Sequence, residues 1–293
     1  MTQERHTMFR PPAEADSVLI RVADGCPHNA CAFCAMYRRV PYHVHDPAAV
    51  EQSIKLAAAA RPDARRVFLA DGDVLALPAS NLEDILIRLR QSFPRLARVN
   101  CYASGQAMAQ KSDAQFRTLR RQGLHTLYLG LESGSDEVLR RMGKSGTVRD
   151  MVDGCVRAQN AGLSVSVMVL VGIGGRELSA THARQTAVAV NAMQPALLSC
   201  LRLVPVPGTP LAHRIADGSF IPLTQEQSVL ELREILAGLE LARTVFRADH
   251  SSNVLSLSGR LPRDADRLLQ ELGELLQCGV LDKDGPGPMP AML

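Results

Sequence analysis

Short apolar runs alternate along this chain with longer stretches whose apolar residues recur at helical spacing. Runs at 17–23, 66–70, 97–101, 125–129, 164–171 and 196–203 have strand length and little polar alternation. Such runs suit strands buried on both faces, as in a parallel sheet. The stretches between them predict helices at 46–61, 81–91, 112–122, 136–142, 148–161 and 179–193. Asp46-Pro47 supplies a cap and then a proline at the first helical position. Asn81 is followed by Asp84 in an acidic first turn, and Ser112 caps the next helix. The result is six strand–helix repeats in roughly 200 residues, a parallel sheet covered by helices.

After Pro210 the alternation stops. Leu223-Thr224-Gln225-Glu226 is a cap signature that opens a helix to about 244. Another helix runs over 264–277, with a polar stretch, 246–260, between the two. The expected organisation is a flexible arm over 1–16 and a core over 17–211. A mostly helical extension, a candidate substrate cap, covers 212–283, and a Gly/Pro-rich disordered tail covers 284–293.

With 293 residues and 46% in the hydrophobic set, the chain can bury one large core and a small appendage. The formal charge of +3 creates no strong field for nucleic acid or an anionic membrane. Residues 1–6 precede no apolar run of the signal-peptide kind, and the longest apolar stretch, 163–173, is too short for a membrane span. These features predict a cytoplasmic protein with reduced thiols.

Three of the seven cysteines, Cys26, Cys31 and Cys34, fall within nine residues directly after the first strand. Thiolates so placed suit either an iron–sulfur cluster or a zinc site completed by His28, His43 or His45. A glycine-rich dinucleotide fingerprint is absent from this position. The other chemically suggestive groups also follow strands: Asp71 and Asp73, the stretch 101–104, Glu132, the glycines after Val171, and the Pro/Gly turn at 205–210. In barrels that end of the strands builds the ligand face.

The Cys26-x4-Cys31-x2-Cys34 loop resembles the cluster loop of the radical S-adenosylmethionine (SAM) enzymes, whose usual spacing is three residues and then two. The first interval here is one residue longer. Phe33, just before the last cysteine, fits the family, where that position packs near the adenine of SAM. Ala70-Asp71-Gly72-Asp73 stands where the family has a Gly-Gly-Glu-like segment. The run from Gly130 to Asp136 resembles the fourth-strand segment of the branch that includes methylthiotransferases and anaerobic coproporphyrinogen oxidase, and Lys144 matches its lysine. Gly172-Ile173-Gly174-Gly175-Arg176-Glu177 resembles its fifth-strand glycine motif, and residues 205–211 its sixth-strand ending.

This resemblance implies a partial (β/α)6 TIM-like barrel. It implies a [4Fe-4S] cluster on the three cysteines, with SAM on the open iron, and reductive cleavage of SAM to a radical that takes a hydrogen atom from substrate. It further implies an electron donor such as flavodoxin or ferredoxin. Phe33, Asp71, Gly72, Asp73, Ser104, Glu132, Lys144, Ser166, Gly172, Gly174 and Arg176 are the cofactor-binding candidates.

Cys101 and Cys200, near strand ends, are candidate hydrogen donors, against a reading as small core residues. Arg247, Asp249, His250, Asn253 and Arg260 are candidates for a polar substrate, with His250 as acid or base. Cys101, Cys155, Cys200 and Cys278 are scattered and form no second cluster loop. A small polar metabolite is the expected substrate. RNA or protein modification and a non-enzymatic scaffold are the alternatives, the former disfavoured because fewer than ~90 residues follow the core.

Overall fold

The computed structural model describes residues 7–287. The chain divides into two compact units, one of residues 1–30, 36–129 and 156–165, the other of 31–35, 130–155 and 166–293.

The first unit begins with a 3-10 turn, Pro12–Glu14, and strand β1 (Val18–Arg21). The short strands β2 (Ala23–Asp24) and β3 (His43–Val44) pair antiparallel. Then come α1 (Pro47–Ala60), β4 (Arg66–Ala70), α2 (Ala79–Ser92), β5 (Arg98–Ala103), α3 (Gly105–Gln110), α4 (Asp113–Arg121) and the start of β6 (Leu124–Glu132). Strands β1, β4, β5 and β6 pair in parallel in that order. Val67, Phe68, Leu69 and Ala70 are all fully buried, as a strand covered on both faces requires. Side chains alternate across the sheet. One face carries Phe68, Tyr102 and Tyr128, whose rings meet edge to face at 5.1, 5.8 and 6.4 Å. Cys101 lies on the opposite face.

Two expectations for this unit change. Helix α2 starts at Ala79 after Pro78, so Asn81 lies inside the first turn and caps nothing. The arm expected to be flexible over 1–16 is anchored at its end, residues 1–6 lying outside the described ones. Glu14 is buried and accepts hydrogen bonds from Ser17 Oγ at 2.5 Å, Asn100 Nδ2 at 2.8 Å and the Tyr128 hydroxyl at 2.5 Å. A buried carboxylate needs such donors, and they tie the arm to β5 and β6.

The second unit contains α5 (Asp136–Arg141), most of α6 (Val148–Asn160) and most of β7 (Ser164–Val171). It continues with α7 (Gly175–Met193), β8 (Leu197–Arg202), α8 (Pro210–Ala216), α9 (Gln225–Ala237), β9 (Thr244–Ala248), β10 (Leu257–Leu261) and α10 (Ala265–Gln277). Strands β7, β8 and β9 are parallel, and β10 returns antiparallel to β9. The extension expected to be mostly helical thus adds two strands. The polar stretch 246–260, a substrate-site candidate, is largely a hairpin whose buried and exposed residues alternate on β9. Helix α9 opens with a reciprocal Thr224–Gln227 cap and stops before Gly238, short of the expected 244. Residues 284–287, expected to be disordered, dock on the same unit. Gly285 O accepts the Gln225 N–H at 2.9 Å, and Pro286 O accepts from Arg202. Residues 288–293 of that expected tail lie outside the described residues.

The strand order of the main sheet is β1-β4-β5-β6-β7-β8-β9-β10, mostly parallel, and among the described residues it does not close. This is a partial TIM-like barrel with two added strands. No helix among the described residues is long and apolar enough to cross a membrane.

Candidate active site

In the first unit, the chain leaves β2 through Gly25, whose φ of +74° suits a residue without Cβ, and reaches Cys26. The loop after β4 presses on this turn. Gly72 N–H donates to Gly25 O at 3.0 Å, and a Cβ on Gly72 would stand 2.7 Å from the Cys26 Cβ. Asp71 is fully buried beside Arg21 (Nε to Oδ2 3.5 Å) and the Tyr37 hydroxyl (3.4 Å). Asp73 accepts the Ser104 N–H at 3.1 Å, and Ser104 Oγ caps α3 by accepting the Ala107 N–H at 3.0 Å. Asp71, Asp73 and Ser104, expected to meet a cofactor, therefore also hold the strand ends in place. Tyr42, in the basic and aromatic run 35–45, lies near Asp73 and Cys26. Burial, then the charges of Asp73 and Cys26, push its phenol above the ordinary value.

In the second unit, residues 31–35 are stitched down by backbone. Ala32 N–H donates to Met142 O at 2.8 Å, and Leu211 N–H donates to Ala32 O at 3.0 Å. Phe33 packs with Leu170 against an apolar patch of Ala32, Val138, Met142, Ile173 and Leu211. Cys31 and Cys34 flank these two anchored residues. Alternation along β7 puts Ser166 on the same face as Leu170. The Ser166 Oγ is buried with no hydrogen-bond partner among the described residues. Glu132 has a left-handed backbone, φ +63°, and its carboxylate meets Lys144 Nζ at 3.3 Å, both side chains 13% exposed. Gly130 is what makes room, since a Cβ there would fall 2.1 Å from Glu132 Oε1. Gly172, φ +88°, donates its N–H to Glu231, and Gly174 starts α7. Arg176 is exposed, with its N–H on Ile221 O at 2.9 Å.

The remaining candidates fall elsewhere. Burial pushes the Cys101 thiol far up and the Cys200 thiol up to about 12. Cys200 pairs with Val169 across the sheet and so shares its face, opposite to Ser166. Both thiols are buried in the core, as the reading of them as small core residues expects. Arg247 and Asp249 pair with each other at 2.9 Å on the hairpin. His250 Nδ1 lies 2.9 Å from Ser252 Oγ, and burial lowers the imidazole. Asn253 Nδ2 donates to Cys200 O at 2.9 Å, and Arg260 is exposed. These side chains bond locally, because the hairpin strands spread them along its length.

Cys26 belongs to the first unit, Cys31 and Cys34 to the second. Among the described residues, no three His, Cys, Asp or Glu side chains form a preassembled metal site. The donor set nevertheless fits a soft iron–sulfur centre. These three thiols are half-buried, whereas Cys101, Cys155 and Cys200 are buried in the core. His45, one zinc candidate, is held by Asp24 at 2.8 Å. Within the second unit, the unsatisfied Ser166 hydroxyl calls for a polar partner.

Comparison with known proteins agrees. No curated protein sequence matches the chain. Among solved structures, the radical SAM methyltransferase TsrM from Kitasatospora setae, with cobalamin and a [4Fe-4S] cluster bound, is 20% identical. The match covers 69% of this chain and 37% of that one, with a TM-score of 0.55. Methylornithine synthase is 15% identical over 88% of this chain and 81% of its own, TM-score 0.51. Coproporphyrinogen III oxidase from Escherichia coli, a radical SAM enzyme, is 16% identical over 75% and 51%, TM-score 0.55. At these identities the likeness is one of fold, and this chain spans little more than a third of the methyltransferase. The model of the radical SAM superfamily matches residues 20–182, more than half the chain and all three loop cysteines, so this protein belongs to that superfamily of [4Fe-4S]- and SAM-dependent enzymes.

Proposed function

We propose that Cys26, Cys31 and Cys34 hold the [4Fe-4S] cluster, and that the enzyme uses SAM to take a hydrogen atom from a small polar metabolite. The observation that carries the reading is the contrast among the thiols: these three are accessible on anchored loop segments, the core ones are sealed. When bound, the reduced cluster supplies one electron to the sulfonium of SAM, giving methionine and a 5′-deoxyadenosyl radical.

The chain's residues bind and orient. Gly72 and Gly25 fix the turn that presents Cys26. Phe33, seated on its apolar patch, offers a ring to the adenine. Ser166 donates its unused hydroxyl to the ligand. Glu132, steadied by Lys144, and the backbone at Gly172 and Gly174 meet the polar edges of SAM. Asp71 and Asp73 serve chiefly by holding the backbone of the loop after β4, and Arg176, just past the glycines that open α7, is a candidate for the carboxylate of SAM. The 246–260 hairpin supplies the candidate substrate contacts, Arg247, Asp249, His250, Asn253 and Arg260. The electron comes from a reductant of the flavodoxin or ferredoxin class, in a cytoplasmic, reducing setting.

The test is anaerobic reconstitution with iron and sulfide, reduction, addition of SAM, and mass spectrometry for 5′-deoxyadenosine. The wild type is expected to form it and a Cys26, Cys31 and Cys34 triple alanine variant is not. Cell extract split into small-molecule, RNA and protein fractions then shows which stimulates turnover. Stimulation by RNA or protein alone would overturn the metabolite assignment. A cluster-loaded wild type that never cleaves SAM would overturn the reaction.

A further inference from the structure

One buried polar network lies outside the side chains expected at the site. Glu231, on α9 of the C-terminal extension, is 1% exposed. Its Oε1 accepts the Gly172 N–H at 2.5 Å, and its Oε2 accepts the Ser179 hydroxyl. Oε1 also stands 3.5 Å from Nε2 of the fully buried His182 on α7. Across that ring, Nδ1 lies 2.8 Å from Ser133 Oγ and 3.3 Å from Thr186 Oγ1. Thr186 Oγ1 accepts the Gly134 N–H at 2.9 Å, and Ser133 Oγ accepts the Ser135 N–H at 3.1 Å. One carboxyl thus joins the loop after β7 to the extension, and the imidazole beside it, whose Nε2 makes no hydrogen bond among the described residues, joins α7 to the loop after β6.

Stability alone does not call for a carboxyl here. The other buried α9 positions include Val229, Leu232, Ile235 and Leu236, and a leucine at 231 would continue that face. Burying an ionisable group is unfavourable unless it is hydrogen-bonded. Burial accordingly raises Glu231 to about 7 and lowers His182 to about 4. What leucine does not offer is an acceptor for Gly172. With φ at +88° that residue has left the strand conformation, and its buried N–H turns to Glu231.

We propose that Glu231 is a positioning residue: it fixes the backbone of residues 172–174 in the shape that receives SAM, making the C-terminal extension part of the cofactor site. His182 extends the same restraint to residues 133–135. This rests on the assignment of residues 172–174 to the SAM site made above.

The test compares cluster-loaded wild type with Glu231→Gln, Glu231→Leu and Ser179→Ala. Three readouts are taken: the SAM dissociation constant by anaerobic equilibrium dialysis, hydrogen exchange of peptides containing Gly172, and the thermal midpoint. E231Q keeps an acceptor and is expected within ~3-fold of wild type, whereas E231L, losing one charge-assisted hydrogen bond, weakens SAM by ~10-fold or more. Exchange at the Gly172 peptide rises in E231L and stays near wild type in E231Q. S179A, which frees one carboxyl oxygen without touching Gly172, falls between them and serves if E231L does not fold. A lowered midpoint with unchanged SAM affinity in E231L, or equal loss in E231Q and E231L, would overturn the proposal. A wild type that binds SAM while every variant matches it sinks only this inference; a cluster-loaded wild type that binds no SAM sinks the functional reading with it.

Discussion

The loop after β4 meets the cysteine turn at a glycine, so adding one methyl group probes that contact directly. A Cβ on Gly72 would stand 2.7 Å from the Cys26 Cβ, 2.9 Å from Gly25 O and 3.0 Å from the Cys26 Cα. Non-bonded carbons rest at about 3.5–4.0 Å, so one segment must shift by roughly 1 Å. No neighbour is the tip of a flexible side chain, and Gly72 itself has no left-handed φ. The clash is therefore the whole effect. Relieving it costs about 1–3 kcal/mol and disturbs the Gly72–Gly25 hydrogen bond, worth about 1 kcal/mol. Both partners lie in loops, so the cysteine turn moves while the strands stay. Metal ligands tolerate about 0.2 Å. Gly72→Ala is expected to load less than roughly half the iron of wild type, and a displacement of that size lowers SAM cleavage about 10–100-fold. The assay is iron and sulfide per chain after anaerobic reconstitution, 5′-deoxyadenosine by mass spectrometry, and the thermal midpoint. Gly273→Ala is the control. It sits in α10 with nothing within 4 Å, and alanine there should stabilise by about 0.5–1 kcal/mol with normal iron. Full iron loading and wild-type cleavage in Gly72→Ala would refute the packing of this loop on Cys26.

The core reading of Cys101 and Cys200 predicts that either alanine variant keeps wild-type 5′-deoxyadenosine yield per cluster, at about 1–2 kcal/mol in urea stability; a loss of cleavage with the cluster intact would restore a catalytic thiol. Glu14→Ala strands the Asn100 amide and the Tyr128 hydroxyl, and is expected to lower urea stability by about 2–4 kcal/mol, an unchanged midpoint counting against the anchored arm. Thr224→Ala removes half of the reciprocal cap of α9 and should cost about 1 kcal/mol by the same measurement, no change meaning the cap is redundant. His182 and Glu231 give opposite pH slopes. With His182 lowered from 6.5 to about 4, the native state binds fewer protons than the unfolded chain between those values, so its contribution grows as pH rises and is complete above 6.5. With Glu231 raised from 4.5 to about 7, its contribution is complete below 4.5 and is lost as pH rises through 7. His182→Gln removes the first slope, so between about pH 5 and 6 its urea stability should fall relative to wild type by up to about 1.4 kcal/mol per pH unit, and parallel curves would refute the assignment.

What was legible in the chain follows the range of the forces involved. The six core strands announce themselves because Val67-Phe68-Leu69 and its counterparts are apolar without alternation, a local signal of burial on both faces. The three cysteines are equally local, since nine residues hold the whole loop. The hairpin at 244–261 escaped because Val245 and Arg247 face solvent while Phe246 and Ala248 do not, and a five-residue strand whose exposed side includes a valine shows no clean alternation of apolar and polar residues. The site side chains were read as free to meet a ligand because nothing local shows what else they bind. Ser104 caps a six-residue helix too short to leave a pattern, and the Ser104 N–H reaches Asp73 from another strand end, 31 residues away. Glu231 did leave a trace, as a carboxyl at helical spacing from the apolar Leu232 and Ile235. Its partner Gly172 is 59 residues earlier in the chain, so the trace shows that something polar is buried and not what it holds. The barrel's frame is thus written in short-range patterning, while the loops at its strand ends are held by hydrogen bonds that only the folded sheet brings together.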